Sequence, residues 1–412
     1  PTPIKYFDPE IRSAYHRVED AAAEQLLGLL PEELRGAYEP LLREEDPEIR
    51  KIVKFWMDKG ADGWRMDVIA SISKDQSFPD YPKTDDRKYY TGKYHSNGPR
   101  LHEFIHEMNR EVLSKYDCMT VGEAPGSTPE VARLFTDPER EELNMIFTFE
   151  HMNIDRIPGS VNRKWELKPF DLRDLKRVMS EWQNKLYNKG WNALYFENHD
   201  QPRVISRWGN DTTYREECAK AYATVLHGMQ GTPYVYQGEE IGMTNVQFPL
   251  EEYEDIEVRN AYQDLVVKNK TISEDDFRKA VWNKSRDNAR VPMQWDDSEN
   301  AGFTTGKPWF RLSDRYQEIN VKKALEKNDS VFYYYKDLIC LRHEEELLTE
   351  GDYQLLLPED EKIFAYLRTS DKEQWIVVAN LSEDTVSTEG LAKYVSDKED
   401  IKIANYKDRT GI

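Results

Sequence analysis

Cysteine is scarce in this sequence, with three residues among 412. Cys118, Cys218 and Cys340 are far apart and lack metal-binding spacing, which argues against a disulfide framework or a zinc knuckle and favours a reducing compartment. No run of 18 apolar residues occurs, so no transmembrane helix is expected. No secretion signal is visible either, although the chain begins with Pro. We therefore expect a cytoplasmic protein.

Positive charge is also in short supply. Lys and Arg number 57 against 77 Asp and Glu, which gives a net charge of −20 and a pI of about 5.0. An acidic surface argues against nucleic acid or an anionic membrane as the main partner and suits a neutral substrate. Aromatic residues make up 12% of the chain, enough either for an ordinary core or for a surface on which sugars stack.

Helical periodicity and short apolar runs divide the chain into three parts. Residues 1–45 read as a helical segment without evident chemistry, and residues 46–347 alternate strands with helices. Residues 350–412 read as an antiparallel sheet that ends early near "NYKDRTGI". Within the middle part, residues 245–310 are expected to form a loop subdomain over the site, and their acidic run 251–257 to be a solvated loop.

Polar residues follow the apolar strands of the middle part. The strand segments are "GWRMDVI", "CMTVGEAPG", "NMIFTFEH", "WNALYFENHD" and "TPYVYQGEEIG". Strands alternating with helices predict an α/β fold with a parallel sheet. In a β/α barrel the active site lies at the carboxyl ends of the strands, and we expect the chemistry there.

Three carboxylates stand out at these strand ends: Asp67, Glu123 and Asp200. Arg65 lies two residues before Asp67, on the same strand face, and its charge favours the ionised form that a nucleophile needs. Glu123 has mostly apolar neighbours, whose desolvating effect would raise its pKa, as a general acid requires. Such a pair fits glycoside hydrolysis with retention. A structural Asp–Arg ion pair is the competing interpretation.

The motif "HEFIH" (102–106) matches a zinc-protease pattern. It lies beside the apolar stripe of an amphipathic helix, and we interpret it as a coincidence. No metal site is predicted from it.

Seven motifs in order resemble the α-amylase family of glycoside hydrolases. They are "GWRMDV", "VGEAPG", "ENHDQPR", "QPRVISRWGND", "GTPYVYQGEEIGMTN", "SRDNARVPMQWD" and "NAGFTTGKPW". The last four resemble the branch of oligo-1,6-glucosidases, dextran glucosidases and related α-glucosidases. The resemblance runs from about residue 46 to the C-terminus and implies a barrel of the (β/α)8 TIM type.

The resemblance also implies roles for individual residues. Asp67 would be the nucleophile, Glu123 the general acid and base, and Asp200 a ligand of sugar hydroxyls. The substrate-binding residues implied are Arg65, His199, Val68 and Arg286. Val68 is similar to its counterpart in α-1,6-active members. No organic cofactor is implied, and the calcium-binding loop of the family is not found.

The family's first three strands are not found in this sequence, so a partial or rebuilt barrel is expected. Exposed sheet edges must be covered, either by residues 1–45 or by a second chain. Three functions follow: a retaining α-glucosidase of α-1,6 preference, a sucrose isomerase or trehalose-6-phosphate hydrolase, and a non-catalytic barrel fragment. The segment "NIDRIPGS" lacks the doubled Arg–Asp motif of the isomerases, and no basic cluster for a phosphate is evident.

Overall fold

The computed structural model describes residues 47–74, 96–395 and 400–406. The predicted helical segment 1–45 lies outside these ranges. The chain forms two compact units, the first comprising Pro1–Phe149 with Asn188–Asn192 and the second Glu150–Tyr187 with Ala193–Ile412. Within the ranges described, no helix has the length and apolar character needed to cross a membrane.

The first unit alternates helices with parallel strands. Its elements are α1 (Pro47–Asp58), β1 (Gly63–Met66), α2 (Leu101–Glu111), β2 (Met119–Glu123), α3 (Pro129–Thr136) and β3 (Met145–Phe147). β1 pairs in parallel with β2, and β2 with β3. The predicted β/α alternation is therefore confirmed in this unit.

Helix α1 ends where the sequence predicts. Gly60 has a φ of 92°, and its N–H donates to the carbonyl oxygen of Met57 over 2.9 Å, a helix end that glycine favours. The buried face of the helix presents Val53 and Met57, which pack against Val112 and Leu113. This contact joins α1 to the segment that leads into β2.

Gly63 is required by the closeness of β1 to β2. It lies opposite Met119 in the parallel register, and a Cβ atom at position 63 would come within 2.0 Å of the Met119 carbonyl oxygen. Any side chain there would push the two strands apart, and Asp67 with them.

The second unit contains a parallel strand pair and most of the helices. Its elements up to residue 290 are α4 (Leu172–Leu186), β4 (Asn192–Leu194, whose first residue belongs to the first unit), α5 (Val204–Trp208), α6 (Arg215–His227), β5 (Thr232–Pro233), α7 (Ile256–Ala261), α8 (Glu274–Lys284) and α9 (Asp287–Arg290). The elements that follow are α10 (Val321–Glu326), α11 (Val331–Glu344), α12 (Leu347–Glu350), β6 (Asp352–Leu356), β7 (Ile363–Thr369) and β8 (Gln374–Asn380). β4 pairs in parallel with β5.

Strand β4 is shorter than the apolar run that contains it. Tyr195 and Phe196 are buried but lie beyond the last strand residue. The Tyr195 carbonyl oxygen accepts a hydrogen bond from His151 Nε2 over 2.9 Å. Burial lowers the pKa of His151 to about 4, so the ring is a neutral donor at pH 7.

Residues 245–310, predicted as a loop subdomain, include several helices. The segment contains α7, a π-helical stretch (Tyr262–Lys268), α8 and α9. These elements surround an apolar cluster that includes Phe248, Tyr253 and Phe277. Some of the polar residues that suggest a loop, among them Asp255 and Asp287, are buried rather than exposed to solvent.

The C-terminal sheet is antiparallel, as predicted, with β7 between β6 and β8. Fully buried Lys176 on α4 anchors it, because its Nζ donates to the carbonyl oxygens of Leu357, Asp360 and Ile363 over 2.6, 2.6 and 3.1 Å. A single ammonium thus satisfies three backbone groups of the β6–β7 connection.

Candidate active site

Strand β1 presents Arg65 and Asp67 at its carboxyl end. The strand stops at Met66, and the Asp67 side chain is 75% exposed, directly beyond it. Arg65 Nη1 donates to Asp67 Oδ1, while Nη2 donates to Glu123 Oε2 over 2.7 Å. One guanidinium therefore contacts both carboxylates that the sequence selects in this unit.

Val68 adopts a backbone conformation that β-branched residues rarely take. Its φ is 43° and its ψ 44°, in the left-handed region. This turn directs the Val68 N–H toward Glu123 Oε2, 3.4 Å away. Strain at position 68 thus accompanies a contact with the predicted acid.

Glu123 is the last residue of β2 and is 9% exposed. Burial raises its pKa above the usual value, and a hydrogen bond with Asp67 raises it further. The Arg65 charge and the Val68 N–H act in the opposite direction, and burial prevails. The sequence-based expectation that desolvation raises the pKa of Glu123 is confirmed.

In the second unit, His199 and Asp200 lie at the tip of the turn that follows β4. The Asp200 N–H donates to Asn198 Oδ1 over 2.7 Å, and the Gln201 N–H to the Asn198 carbonyl oxygen over 3.2 Å. His199 Nε2 lies 3.6 Å from Asp200 Oδ2. The two predicted sugar ligands are therefore side by side and half exposed.

Arg286 contacts Asp200 but is held by another acid. Its Nε donates to Asp255 Oδ2 over 3.0 Å, and its Nη1 lies 3.6 Å from Asp200 Oδ1. Burial works against ionisation of Asp255, but the hydrogen bonds from Arg286 keep the pKa of that carboxyl below its usual value. Asp255 is 2% exposed, so the interpretation of 251–257 as a solvated loop is wrong at this residue.

Arg290 belongs to this group and is missed by the sequence reasoning. Its guanidinium pairs with Asp200, and its Nε donates to the His199 carbonyl oxygen over 2.9 Å. The available signal is the spacing of four between Arg286 and Arg290 in "SRDNAR", which places both on one side of a helical turn. The group has a pair of arginines around Asp200 rather than one.

The predicted residues fall into two groups. The first unit brings together Arg65, Asp67, Val68 and Glu123, and the second brings together His199, Asp200 and Arg286. The first group offers an exposed carboxylate, a buried carboxyl of raised pKa and a shared cation. That combination suits nucleophilic attack together with proton donation.

The "HEFIH" histidines, which lie on α2 of the first unit, have structural partners. His102 Nδ1 lies 2.7 Å from the buried Glu142 carboxylate, and His106 Nδ1 lies 2.9 Å from the Arg140 carbonyl oxygen. Across residues 47–74, 96–395 and 400–406, no group of three or more His, Cys, Asp or Glu side chains is arranged to hold a metal ion.

Three family models match the chain. Residues 41–351 match the model described as the alpha amylase catalytic domain, and residues 353–394 match the maltogenic amylase C-terminal domain. Residues 1–59 match the model described as 5'-deoxynucleotidase YfbR-like. Of this last match, only residues 47–59 fall in the part that the structure describes.

Curated relatives are similar over most of this chain. It is 60% identical over 374 residues to the oligo-1,6-glucosidase of Heyndrickxia coagulans, which covers 90% of this chain and 67% of that protein. It is 47% identical to the trehalose-6-phosphate hydrolase of Bacillus subtilis, covering 82% of this chain and 60% of that protein. The chain thus spans about two thirds of the length of the relatives that it matches.

Solved structures of the same group are similar in fold. Trehalose-6-phosphate hydrolase of Bacillus licheniformis superposes with a TM-score of 0.78 at 43% identity, over 88% of this chain and 64% of that chain. Isomaltulose synthase of Klebsiella sp. LX3 gives 0.77 at 40% identity, over 82% and 61%. These similarities confirm the predicted fold class.

Proposed function

The chain belongs to the α-amylase family of glycoside hydrolases, and from this premise we propose that it is a retaining α-glucosidase that releases α-1,6-linked glucose from isomaltose-type oligosaccharides. One observation carries the proposal: Arg65 contacts both Asp67 and Glu123, and burial raises the pKa of Glu123. Its relatives named oligo-1,6-glucosidase, which are 46–60% identical, support the substrate class.

The chemistry proceeds in two steps. The Glu123 carboxylic acid gives its proton to the glycosidic oxygen while the Asp67 carboxylate attacks the anomeric carbon, so that the bond to the leaving sugar breaks. The Glu123 carboxylate then removes a proton from water, whose oxygen displaces Asp67 and releases glucose. Glu123 ends protonated and Asp67 ionised, as both began.

The arginine has a different purpose in each step. Arg65 keeps a positive charge beside the exposed carboxylate that must remain ionised to attack. The same charge lowers the pKa of Glu123 against the effect of burial, so that the acid can lose its proton and recover it within one turnover. Asp200 and His199 are assigned to the sugar hydroxyls.

Linkage preference is assigned to Val68. Val68 is the residue directly after the nucleophile Asp67 in the sequence, and its N–H points toward Glu123. The alternatives predicted from the sequence, sucrose isomerisation and trehalose 6-phosphate hydrolysis, share the same carboxylates and differ in the leaving group. A substrate panel therefore separates them.

The proposed chemistry uses carboxylates and water and assigns no step to a cofactor. The absence of a cofactor, the cytoplasmic location and the completion of the barrel by residues 1–45 or a second chain stay predictions. A neutral oligosaccharide remains the proposed substrate of this acidic chain.

The test is glucose release from isomaltose, with maltose, sucrose and trehalose 6-phosphate alongside, by the chain and its Asp67→Asn variant. We expect release from isomaltose that disappears in the variant. Glu103→Gln is the matched control, since this carboxylate on α2 is exposed and paired with Arg100. Release by neither protein, with cooperative unfolding of both, would favour the non-catalytic interpretation.

A further inference from the structure

A buried ion pair closes the turn that carries His199 and Asp200. Arg203 Nη1 donates to Glu197 Oε2 over 2.9 Å, and the two side chains are 1% and 2% exposed. The other carboxylate oxygen, Glu197 Oε1, accepts the Val204 N–H over 2.9 Å, at the start of α5. Residue 197 is therefore bonded to both residues that end the turn.

Arg203 also joins this turn to the segment that follows β5. Its Nη1 donates to the Gln237 carbonyl oxygen over 2.8 Å, and its guanidinium lies over the Tyr236 ring, 5.1 Å from the centroid. Its backbone N–H donates to Asn245 Oδ1 over 2.8 Å. The base of the turn is thereby fixed to a second backbone segment of the same unit.

The tip of the turn is more exposed and is contacted by Arg286 and Arg290. The His199 and Asp200 side chains are 53% and 32% exposed, and neither takes part in the buried contacts of the base. Their positions also depend on how the five-residue connection between Glu197 and Arg203 is closed. A change of closure at the base would therefore move both side chains.

The ion pair stabilises the fold less efficiently than apolar side chains of the same volume would. Burying two charges costs several kcal/mol per ion before their attraction is counted, and apolar replacements of similar volume are often no less stable. Two further carboxyls, buried Glu239 and half-buried Glu240, are close enough for the charge of the same arginine to act on their pKa values. Apolar side chains would fill the volume without those charges, but they would not give three directed hydrogen bonds from one guanidinium and one carboxylate.

We propose that Glu197 and Arg203 are positioning residues that set the location of His199 and Asp200 for sugar binding in the transition state. This rests on the proposed α-glucosidase function. The ion pair acts through the turn and does not touch the substrate. We therefore expect loss of the ion pair to lower kcat more than it raises KM. Moving a group that positions the sugar disturbs the geometry of the reacting atoms more than it weakens substrate binding.

The test compares a double variant with a matched control. Glu197→Gln/Arg203→Met removes both charges of the pair together, so neither partner is left as an unpaired charge, and the glutamine oxygen can still accept the Val204 N–H. Arg368→Met is the control, because Arg368, on β7 of the C-terminal sheet, is fully buried in the same unit and donates to the Gly228 carbonyl oxygen over 2.9 Å. Both proteins lose one buried arginine.

We expect kcat on isomaltose to fall about 100-fold in the double variant, with KM changed by less than about threefold. Arg368→Met should keep kcat at a comparable loss of thermal stability. Equal kcat values in the two variants would overturn the proposal, since the effect would then be one of general stability. If the double variant fails to fold, Glu197→Gln alone is tested in the same way, and we expect its kcat to fall while its KM changes little.

A second readout does not need catalysis. Hydrogen exchange of the Asp200 and Gln201 amides should accelerate in the double variant and stay unchanged in Arg368→Met. A chain without turnover that shows this pattern would refute the proposed function and keep the positioning role. Unchanged exchange at both amides would refute the positioning role, whatever the activity.

Discussion

Arg65 Nη2 lies 2.7 Å from Glu123 Oε2, so a permanent cation touches the carboxyl that the proposed mechanism uses as its acid. Two opposing influences meet at that carboxyl. Burial raises the pKa of Glu123, and the arginine lowers it. The balance can be tested by removing one of them.

Replacing Arg65 with Met should shift the alkaline limb of the kcat/KM profile to higher pH. Without the guanidinium, the effect of burial on the Glu123 pKa is less opposed, so the acid keeps its proton to a higher pH. The measurement is initial rate against pH on isomaltose, with Arg100→Met as a control from an exposed pair on α2. A shift to lower pH would contradict the assignment of Glu123.

Replacing Glu123 with Gln should affect substrates according to their leaving groups. Hydrolysis of isomaltose should fall by about 10²- to 10⁴-fold, the usual contribution of a positioned general acid. α-Glucosyl fluoride, whose fluoride leaves without protonation, should lose much less in its first step. Equal losses on both substrates would show that residue 123 is not the proton donor.

Replacing Arg290 with Met should lower kcat/KM by about 10- to 100-fold, because hydrogen bonds to a charged group contribute about 1.5–3 kcal/mol. Arg290 pairs with Asp200 and also bonds the His199 carbonyl oxygen, so its loss frees the tip of the turn. Arg278→Met is the control, since Arg278 forms an exposed pair with Glu274 within α8. If Arg290→Met is as active as the control variant, Arg290 does not contribute to the active site.

Replacing Glu239 with Gln should flatten the dependence of stability on pH. Burial raises the pKa of Glu239 well above its usual value, and the neighbouring charge of Glu197 raises it further. A carboxyl of raised folded-state pKa makes the protein lose stability as the pH rises from the unfolded pKa, near 4.5, toward the folded pKa.

The glutamine has no proton to lose, so as the pH rises above 4.5 the variant should become more stable relative to the parent protein, by the amount of stability that the parent loses. The amide can replace both contacts of the carboxyl, accepting from the Tyr236 N–H and donating to the Tyr335 hydroxyl. Urea unfolding at several pH values measures this. A parallel decline in both proteins would show that Glu239 is ionised in the folded state.

Much of the architecture is predictable because its causes are local. Apolar runs that end in polar residues become β1 to β5, and alternation near the C-terminus becomes the antiparallel sheet. The direction of the Glu123 pKa shift agrees with the expectation drawn from its neighbours in the sequence, Gly122 and Ala124.

The errors concern side chains whose surroundings come from distant segments. Asp255 belongs to an acidic run whose sequence suggests exposure, but it is buried and paired with Arg286, 31 residues later. Arg290 is overlooked because spacing alone gives no information on which arginine reaches Asp200. Tyr195 is buried beyond the end of β4, where its carbonyl oxygen bonds His151, 44 residues earlier. Each depends on a tertiary contact that local patterns do not contain.

The left-handed backbone of Val68 has a consequence for directed evolution of this protein. Asn and Gly adopt that conformation more cheaply than a β-branched residue, so libraries at position 68 will return such variants as stabilised even when they lose the wanted linkage. Selection for thermal tolerance and selection for α-1,6 cleavage should therefore diverge at this codon. The two traits have to be screened separately.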